Sequence, residues 1–559
     1  MTSRLRALRA LALALASLTA AGSLAAQQPA AAAACPIELM QPQPVGIANL
    51  QRTKVLNAKT DDEAQKATRE ATRLLFDPKA ASNAVGRDYL LAQFFALAIE
   101  HGGDVQTRGM LGLPGDKDAK VDLFVALDSL LTIVEKADPA CKKEVDDWRQ
   151  YKPFINSVQG GYKALQANKT DEAERLAKRA LILYREGPQP YDILWRVAKD
   201  RKDIDGVVRN LDLAISKLAG DTLNANVRAN LMFNLGREQQ DAAQTAQEPK
   251  KSELLRGAAK TFAAVAKEYP SSEEAPFALN GISIASAILK DPALGATVID
   301  IVKGALDKFS DISLAQAGVL ATSSSKTADA VLFFGEASKK NPYSRDYLYN
   351  YAAMLYESHQ PQAMLPVVSK LVAIDPSNPD NVMLFAYAYK GLSDTVANKM
   401  RGDSAKIVDG RKKALRDSIM SYSKSTAARK KAILDSVQYY RAEEKAMNDA
   451  AAQYRPAFKA LTDSTNMFAK LSDDMPHKLL FTSVDRLKDK TLVEGEVENR
   501  AKTARTFTIE FEFLGKDGAS LGKQSVTTDS VAPGASGKFK VEFPKGGVLG
   551  VKYAPLPLK

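Results

Sequence analysis

Apolar residues recur along most of this chain with helical spacing, and between Leu314 and Tyr389 they also recur with a longer step. Leu314, Leu348 and Val382 lie 34 residues apart, as do Ala317, Tyr351 and Phe385, then Gly318, Ala352 and Ala386, then Ala321, Leu355 and Tyr389. A second set keeps the same step: Ala330 and Met364, Phe334 and Val368, Ala337 and Leu371, Pro342 and Pro376. Counting from Asp311, offsets 4, 7, 8 and 11 share one face of a first helix, and offsets 20, 24 and 27 one face of a second. The small residues let helix axes approach, the large ones fill the gaps, and Asn341-Pro342 and Asp375-Pro376 end the second helix, because proline lacks the amide donor. One such pair cannot bury its apolar stripe alone, so neighbours must stack.

A 34-residue helix–turn–helix period with these offsets resembles the tetratricopeptide (TPR) repeat. Earlier copies are weaker. One runs from Phe154 through Gly161, Ala173, Ala177 and Ala180; the next has Tyr191, Leu194, Trp195, Ala198, Val207, Leu211 and Ala214. A third has Leu235-Gly236 with Ala259, Ala263 and Ala266, its turn stretched by the polar segment Gln239 to Lys251. A fourth runs through Ile284, Ala285 and Ile288 to Thr297, Ile301 and Gly304. Repeats are thus expected over 154–390 as an α-solenoid, a right-handed superhelix of helical hairpins, preceded by a helical segment over 47–153.

The first residues read differently. Arg4, Arg6 and Arg9 precede an Ala/Leu run from Ala10 to Leu18, and small residues follow at Ser23, Ala25 and Ala26. That is the pattern of a secretory signal peptide over 1–26, cleaved near Ala26, so the mature chain is expected outside the cytoplasm, which in a bacterium means the periplasm or outer cell envelope. No later stretch is apolar enough to span a membrane. Residues 27–46, rich in Ala, Gln and Pro, read as a flexible leader. In an exported chain the two cysteines, Cys35 and Cys141, are expected to pair. The rival reading, lipid attachment at Cys35, fits less well, because Gln27, Gln28 and Pro29 separate that cysteine from the apolar run.

After Tyr389 the period is lost but helical spacing continues, so 391–475 reads as a helical hairpin extension. Lys399 to Lys445 holds 13 Lys/Arg against 6 Asp/Glu, densest at Arg411-Lys412-Lys413 and Arg429-Lys430-Lys431. These are either solvated faces or a contact surface for anionic lipid, an acidic polymer or an acidic protein. The whole chain carries +11, or +8 without the three arginines of the leader peptide, too mild an excess to expect nucleic acid.

Beyond Pro476 the period becomes two. Phe507, Ile509, Phe511 and Phe513 alternate with polar residues, as do Phe539, Val541 and Phe543, and Gly515-Lys516-Asp517-Gly518 supplies a tight turn. About six short strands are expected over 476–559, a small antiparallel β-sandwich. The order Val493-Glu-Gly-Glu-Val497, Phe511-Glu-Phe-Leu-Gly-Lys-Asp517, Ala532-Pro533-Gly534 is similar to the FxLyD type of bacterial extracytoplasmic domain. The run Phe513 to Asp517 lacks that family's tyrosine. The resemblance implies an adhesion or protein-contact module without chemistry.

No catalytic, cofactor or metal constellation stands out. His101, His359 and His477 are far apart in sequence, and Gly109-x-x-Gly112-x-x-Gly115-Asp116-Lys117 lacks the Lys-Ser/Thr pair of a phosphate loop. A non-enzymatic scaffold of the cell envelope is therefore expected, holding a protein or peptide; peripheral association through 399–445 is the alternative. The TPR resemblance implies binding on the concave face lined by first helices. Tyr347, Asn350, Met354 and Tyr387, which lie off the packing offsets, are its expected contact residues.

Overall fold

Five residues other than glycine take left-handed backbone, Asn168 (φ 57°), Lys202 (60°), Lys290 (52°), Ser325 (55°) and His359 (57°), and each sits in the turn between two helices. In every case the next amide bonds the carbonyl five residues back, as in Asp203 N to Ala198 O at 2.9 Å and Gln360 N to Leu355 O at 2.8 Å. This is the Schellman ending of a helix, and it recurs because five first helices stop in the same way. The turn marks the repeat directly in the backbone.

The computed structural model describes residues 35–422 and 426–557, and the chain divides into two compact units, Met1–Ile193 and Leu194–Lys559. The expected signal peptide over 1–26 and residues 27–34 of the leader lie outside the described residues. The first unit holds α1 (Gln43–Leu56), α2 (Asp61–Leu75), α3 (Ala84–Gly102), α4 (Arg108–Leu111), α5 (Leu123–Ala137), α6 (Lys142–Arg149), α7 (Lys152–Gln166) and α8 (Thr170–Leu183). A two-stranded ribbon, β1 (Val105–Thr107) against β2 (Lys120–Asp122), closes the glycine loop. The leader proves ordered at its described end. Cys35 is bonded to Cys141, closing a loop of 106 residues, Asn83 Nδ2 donates to Gln41 O at 2.7 Å, and Pro44, Val45 and Gly46 are buried in the first turn of α1. Proline suits that turn, whose amides need no helical acceptor.

α9 (Pro188–Asp200) spans the division between the units, and the second unit continues with α10 (Ile204–Lys217), α11 (Ala225–Ala243), α12 (Lys250–Glu268), α13 (Ala275–Leu289), α14 (Ala293–Lys303), α15 (Asp311–Ser323), α16 (Thr327–Lys340), α17 (Arg345–Glu357) and α18 (Pro361–Ile374). Each of these from α10 onward packs on its neighbours in the chain, and one core runs from Met232 through Phe262, Leu279, Val298, Leu314 and Phe334 to Met354. The stretched turn expected at Gln239–Lys251 is mostly extra helix, since α11 runs on to Ala243 and α12 begins at Lys250. In α13 the buried positions include Ala278, Leu279, Ile282 and Ala285, whereas Ile284 and Ile288, expected inside, are exposed.

α19 (Pro379–Tyr422) is a single 44-residue helix, followed by α20 (Thr426–Ala452) and α21 (Arg455–Asp473). The interruption after Tyr389 is therefore an insertion inside a repeat. α21 returns to lie on the start of α19, stacking Phe468 between Phe385 (4.8 Å) and Tyr389 (5.5 Å), and so takes the place of the missing second helix. The basic clusters Arg411-Lys412-Lys413 and Arg429-Lys430 fall outside the residues whose side chains are described.

The C-terminal strands form two antiparallel three-stranded sheets. β3 (His477–Arg486), β4 (Thr491–Asn499) and β7 (Ser536–Phe543) make one in the order β3-β4-β7; β5 (Thr508–Leu514), β6 (Ser520–Thr527) and β8 (Gly550–Tyr553) make the other in the order β6-β5-β8. Alternate residues point into a shared core around Val493, Val497, Phe511, Phe513, Phe539 and Val541. Both β3 and β8 are edge strands, and inter-repeat loops satisfy their free backbone groups. Leu479 N donates to Ser377 O at 3.0 Å, Asn341 Nδ2 donates to Leu549 O at 3.1 Å, and Arg345 donates to Val551 O.

Candidate partner-binding face

Each first helix of the second unit has three sides. One meets its own second helix: Gly236 and Gly318, both at offset 8, lie against the rings of Phe262 and Phe334. A second meets the preceding first helix. Tyr347 Oη donates to Asp311 Oδ2 at 3.3 Å and Thr322 Oγ1 lies 3.5 Å from Met354 Sδ, so offsets 3 and 10 are sealed between α15 and α17. Tyr347 is only 9% exposed and Met354 is buried, and burial first, then Asp311, pushes the Tyr347 hydroxyl up. These two residues are thus corrected from contact candidates to packing residues. They miss the offsets that repeat as apolar, yet the neighbouring helix covers them. Asn350 is half-buried, and Tyr387 stands 43% exposed.

The third side is open. It carries offsets 2, 5, 9 and 12, one turn apart in alternating steps, which in α15 means Ile312 and Val319, in α17 Tyr349 and Tyr356, and in α19 Tyr387. Aligning the left-handed turn of Lys290 with that of Ser325 puts Phe277 and Ile284 of α13 at offsets 2 and 9, with Ile288 one turn further on. All of these are exposed, Phe277 at 63%. Side chains from successive helices touch along the row: Phe233 of α11 lies 6.2 Å from Phe277, and Tyr356 lies 5.4 Å from Tyr387, centroid to centroid. Tyr349 and Tyr356 were missed as contact residues, although the 34-residue step already places them at offsets 5 and 12. Exposed large apolar side chains arranged contiguously on a soluble surface mark a contact site more often than isolated ones do.

Charge is unevenly spread along this row. The open positions of α13 and α15, Phe277, Asn280, Ile284, Ala287, Ile288, Ile312, Val319, Thr322 and Ser323, bear no charge. Those of α17 and α19 include Asp346, Glu357 and Asp380, with Lys390 held by Asp394 at 2.7 Å and Asp380 by Lys478 at 2.8 Å.

Elsewhere the chemistry is sparse. Among the described residues no group of three or more His, Cys, Asp or Glu side chains could hold a metal ion, and no helix is long and apolar enough to cross a membrane. His101 pairs with Asp61 at 2.8 Å, His359 serves the turn after α17, and His477 is buried at the start of β3. A cleft of about 620 Å³ lies between α10 and α12, where Lys250 bridges Asp205 (3.3 Å) and Glu253 (3.1 Å). A smaller one, of about 190 Å³, lies where the start of α17 meets β3 and β8.

No protein-family profile matches this chain, and no curated protein does. Solved structures similar to it include PilF of Pseudomonas aeruginosa (14% identity over 39% of this chain and 90% of that one, TM-score 0.23). A thermophilic TPR protein of Thermus thermophilus matches at 16% identity over 36% of this chain and 98% of that one, TM-score 0.21. The Cut9–Hcn1 hetero-tetramer of the APC/C matches at 12% identity over 62% and 76%, TM-score 0.21. Scores this low carry no weight for the architecture, which rests on the chain's own paired helices, its 34-residue step and its recurring left-handed turn.

Proposed function

We propose that the protein is a non-catalytic scaffold that binds a protein or peptide partner on the open side of its first helices. The observation that carries this is the row of exposed apolar and aromatic side chains from Phe277 to Tyr387, set on the same open side of four successive first helices, α13, α15, α17 and α19. A stacked array offers such a row as a preformed surface, so binding would need little rearrangement. The leader sequence and the Cys35–Cys141 bond support an exported, envelope location. The C-terminal sandwich, FxLyD-like in sequence, would serve as a further contact module fixed to the repeats.

Site-specific photo-crosslinking in envelope fractions tests this. A crosslinker at Tyr349, Tyr356 or Tyr387 should capture a discrete partner that one on the outer surface of α16 or α18 does not. Equal capture from both sides would reject the reading. The second reading, docking on anionic lipid or polymer, is favoured by the excess of seven positive charges between Lys399 and Lys445. Replacing Arg411, Lys412, Lys413, Arg429, Lys430 and Lys431 by glutamate should abolish co-sedimentation with phosphatidylglycerol vesicles if it holds, and leave the crosslinked partner untouched.

A further inference from the structure

We infer that the occupant of the open face is an amphipathic helix whose apolar stripe lies over α13 and α15 and whose basic end lies over α17 and α19; this rests on the scaffold reading above. Two features of the face lead there. The first is spacing. Phe277 and Ile284, Ile312 and Val319, and Tyr349 and Tyr356 are each seven residues apart, about 10.5 Å along a helix. That interval matches the diameter of one helix with its side chains, about 10–12 Å, so a helix laid across the array is held between two rows of apolar contacts. Helices packed side by side generally lie about 8–10 Å apart, close to the advance of a heptad, so a ligand with apolar residues at i, i+3/i+4 and i+7 can meet successive first helices in turn.

The second feature is the charge gradient. A ligand meets no charged side chain at the open positions of α13 and α15, and burying charge there would be uncompensated. On α17 the tyrosines are flanked by Asp346 and Glu357, both exposed, and no ion pair to Glu357 forms among the described residues. Lys390 and Asp380 are already neutralised by Asp394 and Lys478. Tyrosine faces attract cations through the ring quadrupole, so Tyr349, Tyr356 and Tyr387 favour Lys or Arg at the same end as the carboxylates do. An acidic tail would meet like charge there and find no cation on α13 or α15.

The test uses the full chain and three synthetic 21-residue helices sharing one leucine stripe: one with lysines at one end, one with glutamates at that end, and one with the lysines kept and the stripe scrambled. Fluorescence anisotropy should show the lysine-ended helix binding about tenfold tighter than the glutamate-ended one, with the preference removed or reversed by Glu357→Lys. Ile284→Glu and Val319→Glu, both on exposed positions, should abolish binding while leaving the circular-dichroism melt unchanged. A benzophenone on the lysine end should attach to α17 or α19, and one on the other end to α13. Equal affinity for the scrambled peptide, tighter binding of the glutamate-ended one, or the opposite crosslinking polarity would overturn the inference. If none of the peptides binds while the tyrosine crosslinkers still capture a partner, the scaffold reading stands and this one fails.

Discussion

The Tyr553 hydroxyl donates to Asp375 Oδ1 at 2.5 Å, joining the last strand to a loop between repeats 178 residues earlier. Around that bond the loop and the sandwich share a buried polar node. Asn381 Nδ2 donates to Asp375 Oδ2 at 2.8 Å, Ser377 N donates to Tyr553 Oη at 3.1 Å, and the Arg345 guanidinium lies 3.6 Å from the centre of the Phe481 ring and 3.8 Å from Asp375. Burial raises the Tyr553 hydroxyl well above its usual range, with Asp375 adding to the shift, so it remains a donor. The sandwich is thereby part of the array's edge.

Breaking the node should loosen the sandwich without unfolding either part. Tyr553→Phe removes one donor from a buried carboxylate and should cost about 1–3 kcal/mol at the junction. Arg345→Met leaves Asp375 with no opposite charge and should cost about 3–5 kcal/mol, much of it recovered when Asp375→Asn is added. Hydrogen exchange of the β3 and β8 amides, together with proteolysis around 474–476, reads this out. Protection unchanged in Arg345→Met would show that the node does not hold the junction.

Acid should act at the same boundary. His477 Nδ1 is buried and has no hydrogen-bond partner among the described residues, and burial, helped by Arg505, pushes the imidazole down from 6.5 to about 4. In the unfolded chain this histidine takes up a proton below pH 6.5. Folded, it resists until about pH 4, so stability is full above pH 6.5 and falls as pH drops between those values. His477→Phe, which can pack edge-on against Phe507 as the imidazole does at 6.0 Å, should flatten that fall. Urea midpoints of the sandwich transition from pH 7.5 to 4 check it; an identical pH slope in the variant would exclude His477 as the cause.

Much of this architecture is legible in the chain because its determinants are local. The 34-residue step announces helix pairs, and period-two alternation from Phe507 to Phe513 announces strands. What is hidden depends on what lies next door. Tyr347 and Tyr349 are two residues apart and similarly polar in context, yet one is sealed by Asp311 of α15 while the other faces outward. α21 could not be assigned as a second helix from spacing alone, because 65 residues, 390–454, separate it from Tyr389. The docking of Asn341, Arg345 and Asp375 on β8 joins residues about two hundred positions apart, and no periodicity records it.

Close packing of the repeats gives a third prediction, centred on Phe262. Its ring is held between two helical glycines. A Cβ on Gly236 would fall 2.5 Å from a ring carbon, and one on Gly281 closer still on the other edge. Glycine-to-alanine changes inside helices ordinarily stabilise by about 0.5–1 kcal/mol, whereas overpacking costs about 1–3 kcal/mol. Gly236→Ala and Gly281→Ala should therefore lower the melting temperature, and Phe262→Leu should partly rescue each. Gly402→Ala, with open space around the new methyl group, should raise it slightly. Stabilisation by Gly236→Ala would mean that the ring can yield.

The left-handed turns are strained where a side chain is present, and relieving them should stabilise the array. Lys290 (φ 52°) and Lys202 (φ 60°) carry a Cβ in a conformation that costs L-residues about 1–2 kcal/mol. Glycine removes that cost but returns about 0.5–1 kcal/mol through the greater freedom of the unfolded chain, so Lys290→Gly should gain about 0.5–1 kcal/mol. Lys290→Val, branched at Cβ, should lose about as much or more. Because the two turns share no partner, Lys202→Gly and Lys290→Gly should add. Thermal melts of the single and double variants decide the matter: a loss of stability on Lys290→Gly would mean that the lysine side chain itself contributes more than the strain it imposes.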